Sequence, residues 1–183
     1  MQRSAIVSVY AQEVYTDRVH PGVEAIVKTE GGSEGRAVCT SGISIGTHEV
    51  PFNFDASQRF RGKGVQMAVN NVNSIIAPAL LGQDASNQLE IDNIMLGLAP
   101  DAKDKLGGNA IAAVSAATLK AGAAALGIPL YRHIGGIGAI CLPVPGVMIA
   151  GGSNRYGGAI NNAGGKPSYS IMLCTPYSIL CGW

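Results

Sequence analysis

The chain predicts an α+β fold in which strands come first and helices follow, and three observations carry that prediction. Three short β-branched stretches, each closed by a turn signal, fill the first 40 residues. Helix-periodic and alanine-rich stretches fill the region from Gly62 to about Leu126. Beyond Gly135 the composition changes character: only Arg155 and Lys166 are charged, and 11 of the 25 glycines fall in those last 49 residues. At 183 residues and 18.8 kDa the chain holds one core of ordinary size, with little left for a second complete domain.

The elements follow in order. Ser4 to Tyr15 reads as a strand, with an alternation strongest at Ile6, Ser8 and Tyr10. His20-Pro21-Gly22 breaks it, Val23 to Thr29 is its hairpin partner, and Gly31-Gly32 turns the chain into a third strand from Arg36 to Thr40. The glycine-punctuated, uncharged stretch Ser41 to Gly46 reads as a mobile loop. From Gly62 to Ile75 the spacing places Val65, Met67, Val69, Val72 and Ile76 near one helix face. Asn87 with Glu90 three residues on suits a capping box for a helix over Leu89 to Leu96. Asn109 to Leu126 is the longest helix, rich in alanine, and Gly127-Ile128-Pro129 ends it before a turn over Leu130 to Ile134. Lys120 alone interrupts the uncharged run from Leu106 to Tyr131. Alanine and glycine supply most of that run, so it is expected to be a core helix packed closely through small residues and no membrane span. Cys141 to Ile149 and Ser168 to Leu173 are the remaining apolar segments, separated by a glycine/asparagine loop over Gly151 to Pro167.

Composition excludes several function classes. An apolar fraction of 47% excludes a disordered chain, and a net charge of +1 argues against a nucleic-acid or polybasic membrane surface. All 12 carboxylates lie between Met1 and Asp104, so the C-terminal part supplies neither a carboxylate metal site nor an Asp/Glu general base from within itself. The four cysteines form no C-x-x-C pair, and the opening residues lack the charged and apolar regions of a secretory leader. A reduced, cytoplasmic protein is expected. Other motifs fail on inspection. Gly136-Ile137-Gly138 is followed by Cys141 where a dinucleotide fingerprint needs its third glycine, and His20, His48 and His133 lack metal-ligand spacing.

Ordered motifs point to a family. Tyr15, Arg18, Pro21, Val23 and Glu24 are followed by S-G-I-S-I-G-T-H-E at Ser41 to Glu49, G-K-G-V at Gly62 to Val65 and I-A-P-A-L at Ile76 to Leu80. Then come G-N-A-I-A-A-V-S ending at Ser115, P-L-Y-R-H-I at Pro129 to Ile134, L-P-V-P at Leu142 to Pro145 and G-G-S at Gly151 to Ser153. In this order they resemble enolase, phosphopyruvate hydratase, over roughly five-sixths of the chain. The resemblance implies residues 1–134 as an N-terminal capping domain, a three-stranded antiparallel meander plus about four helices. It implies residues 135–183 as a linker and the first strands of an incomplete (β/α) barrel, since complete members are more than twice this length. Residues 1–134 are expected to fold cooperatively. The later strands lack the neighbours and covering helices that barrel strands need, so 135–183 is expected to be mobile, sticky or domain-swapped.

The implied chemistry is the glycolytic dehydration of 2-phosphoglycerate to phosphoenolpyruvate, a lyase reaction with Mg2+ as cofactor and a small phosphorylated carboxylic acid as ligand. Full-length members imply a homodimer, with Arg18, Pro21 and Glu24 in a region that faces the partner subunit. Ser41 to Gly46 resembles the family's mobile lid: Ser44 matches a magnesium ligand, and the backbone of Ile43 the lid position nearest the substrate. His48 and Glu49 are expected to be lid-base structure. The second loop departs from the family pattern. Asn154 stands for a substrate-contacting histidine and Ser168 for the adjacent glutamate, leaving Asn154, Arg155 and Lys166 as candidate substrate-binding residues. The family's acid and base lie on later strands, so this chain alone is expected to be inactive. The alternative is a non-catalytic, enolase-like interaction or phosphometabolite-binding module.

Overall fold

The computed structural model describes residues 3–16, 20–42, 48–50, 52–142, 147–150 and 171–173, the last two stretches as backbone only. They fall into two compact units, one within Met1–Ser41 with His48–Gly136, the other within Gly42–Thr47 with Ile137–Trp183.

The first unit begins with the expected meander. Strands β1 (Ile6–Tyr15), β2 (Pro21–Thr29) and β3 (Glu34–Cys39) pair antiparallel in that order, with β2 central. In β2 the alternation is clean: Val23, Ala25 and Val27 are fully buried, while Glu24, Ile26 and Lys28 lie on the other face. In β1 the alternation expected at Ile6, Ser8 and Tyr10 does not hold. The register shifts between Ile6 and Ser8, and this bulge reverses the parity. Ile6, Val9 and Ala11 consequently face the core, and Val7 and Tyr10 face outward.

The outer edge of β1 is covered rather than left open. Ile6 exchanges backbone hydrogen bonds with Gln83 and Gly82, both at 2.8 Å, and Ala85 N donates to Ser4 O. Further along, Asn73 clamps Ala11 through both groups of its amide, Oδ1 accepting from Ala11 N at 2.8 Å and Nδ2 donating to Ala11 O at 2.9 Å. These partners occupy the outward N–H and C=O groups of Ile6 and Ala11, groups of the kind through which an edge strand recruits another chain.

Helices cover one face of the sheet. α1 (Gln66–Asn71) passes through a wider turn, Val72–Ile76, into α2 (Ala77–Leu80). Pro78 has no N–H to offer the carbonyl of Ser74, and the widened turn lies just before it. Val65, Val69, Val72, Ile76 and Leu80 form the buried stripe, whereas Met67, expected on it, is half exposed. Met67 sits two residues from Val65 and Val69, about 200° round the helix from each, so it points away from the sheet. α3 (Gln88–Gly97) is capped by Asn87, whose side chain accepts from Glu90 N at 3.4 Å. The N–H of Asn87 donates to Asp84 O, so the capping box is half made. α4 (Ala102–Leu106) follows.

α5 (Gly108–Ala125) is the central packing element, and nine of its 18 residues are buried, among them Ala110, Ala113, Val114, Ala117 and Ala121. Its approach to the sheet depends on a glycine. A Cβ on Gly35 would lie 3.1 Å from Ala121 Cα and overlap the carbonyl oxygen of Ala117. On the helix's other flank, a Cβ on Gly122 would lie 2.9 Å from the carbonyl carbon of Ala85. The small-residue packing expected of this helix is what the structure shows. Lys120 lies at the helix surface and donates to Arg36 O at 2.8 Å, tying α5 to β3. Among the described residues no single helix is long and apolar enough to cross a membrane. α6 (Leu130–Gly135) closes the unit.

In the second unit, β4 (Val147–Ala150) and β5 (Ile171–Leu173) pair antiparallel, Val147 opposite Leu173 and Met148 opposite Met172. The barrel start expected for 135–183 is not seen among the described residues. The two strands pair with each other, and antiparallel pairing requires no crossover helix between them.

Candidate functional site

The described residues closest to the expected lid are those that anchor its two ends. The turn between β1 and β2 is closed by Thr16, whose N–H and hydroxyl both donate to His20 O, at 3.2 and 2.8 Å. This holds His20 against the exit of β3, where it is buried with Nε2 3.5 Å from Ser41 Oγ and Nδ1 3.5 Å from Pro21 O. Ser41 is itself buried, so the chain leaves β3 from a fixed point.

On the far side, His48 and Glu49 are exposed, and the chain is fixed a few residues later by Asn53. Asn53 N donates to Asn109 Oδ1 at 3.2 Å, and Asn109 Nδ2 donates to Asn53 O at 3.1 Å. Asn109, 1% exposed, therefore satisfies both backbone groups of Asn53 from the first turn of α5. Gly107 makes this possible. Its φ is +96°, and a Cβ there would stand 2.6 Å from Asn109 Oδ1 and 3.0 Å from Asn53 Cβ. Two residues on, Asp55 caps α1 from outside the helix, Oδ2 accepting from Gln66 N at 3.0 Å and Oδ1 from Met67 N at 2.8 Å.

The loop between Asp55 and α1 is strained and strapped down. Phe60 and Arg61 have φ of +50° and +54°, the left-handed region that non-glycine residues avoid at about 1–2 kcal/mol each. Glu13 holds the loop to the sheet, Oε1 pairing with Arg59 Nη2 at 2.6 Å and Oε2 accepting from Val65 N at 3.0 Å. Arg59 lies 5.0 Å above the ring of Phe60, which packs edge-on against Tyr15.

Behind the lid base lies a cleft of about 400 Å³. Phe52, Leu96 and Ile111 form its apolar wall, and Asp92, Lys103 and Ser115 bring polar groups to it. Gln88 organises the polar side, its Nε2 donating to Asp92 Oδ1 at 3.0 Å and Ser115 Oγ at 2.9 Å.

Three side chains elsewhere have displaced acidities. The guanidinium of Arg36 holds the exposed Glu34 carboxyl below its ordinary range, and Glu34 in turn raises Arg36. Burial pushes the Cys39 thiol up.

The expected site residues Ile43, Ser44, Asn154, Arg155, Lys166 and Ser168 all lie outside the described residues, as do Arg18 and the Gly151 to Ser153 motif. The structure thus describes the residues on either side of the expected lid and none of the expected site residues. Among the described residues no three His, Cys, Asp or Glu side chains converge to hold a metal ion, so no chemical step is assigned to a metal here. Sequence reasoning missed the cleft. Its one local signal was the i, i+4 spacing of Gln88 and Asp92; their meeting with Ser115 depends on how α3 and α5 cross.

A three-stranded antiparallel meander covered on one face by helices defines an α+β domain. The family model described as "Enolase, N-terminal domain" matches residues 6–134. The chain belongs to the enolase family. It is similar to the enolase of Methanococcus aeolicus, 49% identical over 156 residues, covering 85% of this chain and 36% of that one. It is similar also to the enolase of Methanocaldococcus jannaschii, 48% identical over 158 residues, covering 85% of this chain and 37% of that one. The chain thus spans little more than a third of the length of these curated relatives.

Proposed function

We propose that this chain supplies the capping domain and lid of an enolase-type lyase, which dehydrates 2-phosphoglycerate to phosphoenolpyruvate. The observation that carries this reading is the near-50% identity to two enolases over 85% of this chain. In this reading His20 with Ser41, and Asn53 with Asn109, fix where the lid starts and stops. The backbone of Ile43 would then approach the substrate and Ser44 would ligate a magnesium ion. Magnesium supplies the positive charge that offsets the developing enolate. Its carboxylate ligands, with the general acid and base, would come from the part of the relatives' length that this chain does not span.

Two corollaries follow. The 183-residue chain by itself turns over no 2-phosphoglycerate, and full activity belongs to a longer, cytoplasmic, homodimeric assembly. Asn154 and Ser168 favour a second reading, a non-catalytic module that binds a phosphorylated carboxylic acid through Arg155 and Lys166. Asn and Ser do no proton transfer near neutral pH.

The experiment is a magnesium-dependent assay of phosphoenolpyruvate formation on two proteins. One is the purified chain. The other is the chain joined to the remaining two thirds of the Methanococcus aeolicus enolase. Turnover by the joined protein, lost on Ser44→Ala, and none by the chain alone is the expected result. Turnover by the chain alone overturns the first corollary. A silent joined protein that still binds a phosphonate analogue supports the second reading.

A further inference from the structure

Three charged side chains line the cleft behind the lid base, Glu49, Asp92 and Lys103, beside an apolar wall, and of these Glu49 is already engaged. Asp92 has Gln88 as its hydrogen-bond partner and no ion-pair partner among the described residues, and Lys103 likewise has none. Both line the same cleft, yet their charged atoms are more than 4 Å apart. Opposite charges that share a concave site without pairing match a ligand carrying the complementary pair. Asp92 is preorganised, because Gln88 Nε2 grips both it and Ser115 Oγ. Ser115 Oγ, accepting from Gln88, keeps its own proton to donate. The apolar wall of Phe52, Leu96 and Ile111 asks for a hydrophobic or aromatic body, and about 400 Å³ accommodates a molecule of a dozen heavy atoms.

We propose that this cleft binds a small zwitterion with an apolar body, of the free α-amino-acid class. Its ammonium sits toward Asp92, its carboxylate toward Lys103 and Ser115, and its side chain against Phe52, Leu96 and Ile111. The site uses no metal and no phosphate group, so it stands or falls independently of the lyase reading. Because Phe52 follows the lid, occupancy braces the segment on which the lid's far end is anchored.

The test titrates the full 183-residue chain with L-phenylalanine, with 2-phenylethylamine, which lacks the carboxylate, and with 3-phenylpropanoate, which lacks the ammonium. Binding is followed by calorimetry and ligand-observed NMR. L-phenylalanine is expected to bind about tenfold more tightly than either analogue, the difference one charge-assisted contact makes. Asp92→Asn should weaken L-phenylalanine and the amine about tenfold and leave the acid unchanged, and Lys103→Met should do the reverse. Ala112→Phe, which fills the cleft mouth, should abolish binding of all three with the thermal transition unchanged. Equal affinities for the three ligands, absence of L-phenylalanine binding, or variants that leave it unaffected would each overturn the proposal. So would a dimer that Ala112→Phe dissociates, with no ligand binding, which would make the cleft a self-association surface. If one charge variant fails to fold, the other and the three-ligand comparison on the unaltered chain still decide.

Discussion

Replacing Gly122 by alanine tests the packing of α5 most sharply, because two effects of known size oppose each other. Glycine in a helix interior is disfavoured relative to alanine by about 1 kcal/mol, so intrinsic propensity predicts stabilisation. The structure predicts the reverse. A Cβ at Gly122 would stand 2.9 Å from the carbonyl carbon of Ala85 and 3.1 Å from Ser86 Cα, closer still to the Ala85 oxygen. Carbon atoms in contact prefer about 3.5–4.0 Å, so one partner must retreat by roughly 0.5–1 Å. Ala85 is tied to β1 through Ser4, and α5 is pressed against Gly35 on its other side, so neither yields freely. Overpacking against such a boundary costs about 3 kcal/mol, the upper end of its usual range, leaving a net loss near 2 kcal/mol. For a unit of this size that lowers Tm by roughly 8 °C. Gly97 is the matched control. It ends α3, is exposed, and a Cβ there meets nothing within 4 Å, so Gly97→Ala should stabilise by about 0.5–1 kcal/mol. Urea unfolding followed by circular dichroism measures both. A Gly122→Ala protein as stable as the unaltered chain would refute the claim that α5 is held by backbone contact.

Three further outcomes are expected. Asn109→Ala should cost about 2–3 kcal/mol in the same assay, since it strands both backbone groups of Asn53, and a loss under 0.5 kcal/mol would deny the clamp. Glu34 has its folded-state acidity shifted down by Arg36, so its contribution is present above the ordinary carboxylate range and is lost as pH falls through the lowered value. The Tm difference between the unaltered chain and Glu34→Gln should accordingly shrink on acidification, and a difference that grows instead would contradict the sign. In a variant retaining Cys39 alone, thiol labelling near pH 8 should be slower than in one retaining Cys141 alone, because burial raises the Cys39 thiol while Cys141 is exposed. Equal rates would remove the basis for that distinction.

Much of the fold was legible because its signals are local. His20-Pro21-Gly22 and Gly31-Gly32 punctuate the meander within a few residues of where it turns. The buried stripe from Val65 to Leu80 follows helical spacing, and alanine marks α5. The errors arose where a local pattern was overruled from a distance. A bulge in β1 moved Tyr10 outward against its apparent alternation. In the site, the lid motif was readable as ordered residues, but its braces were not. Nothing in the sequence says that Asn53 and Asn109, 56 positions apart, exchange two hydrogen bonds, or that Glu13 restrains a strained turn around Phe60.

The sequence by itself therefore determined the family and the order of strands and helices, since each is encoded by residue types at short spacing. Tertiary structure alone decided which glycines are indispensable, which amides clamp the lid base and where the cleft lies. Those properties belong to pairs of residues remote along the chain, and a pair acquires chemistry only once folding has set the distance between its members.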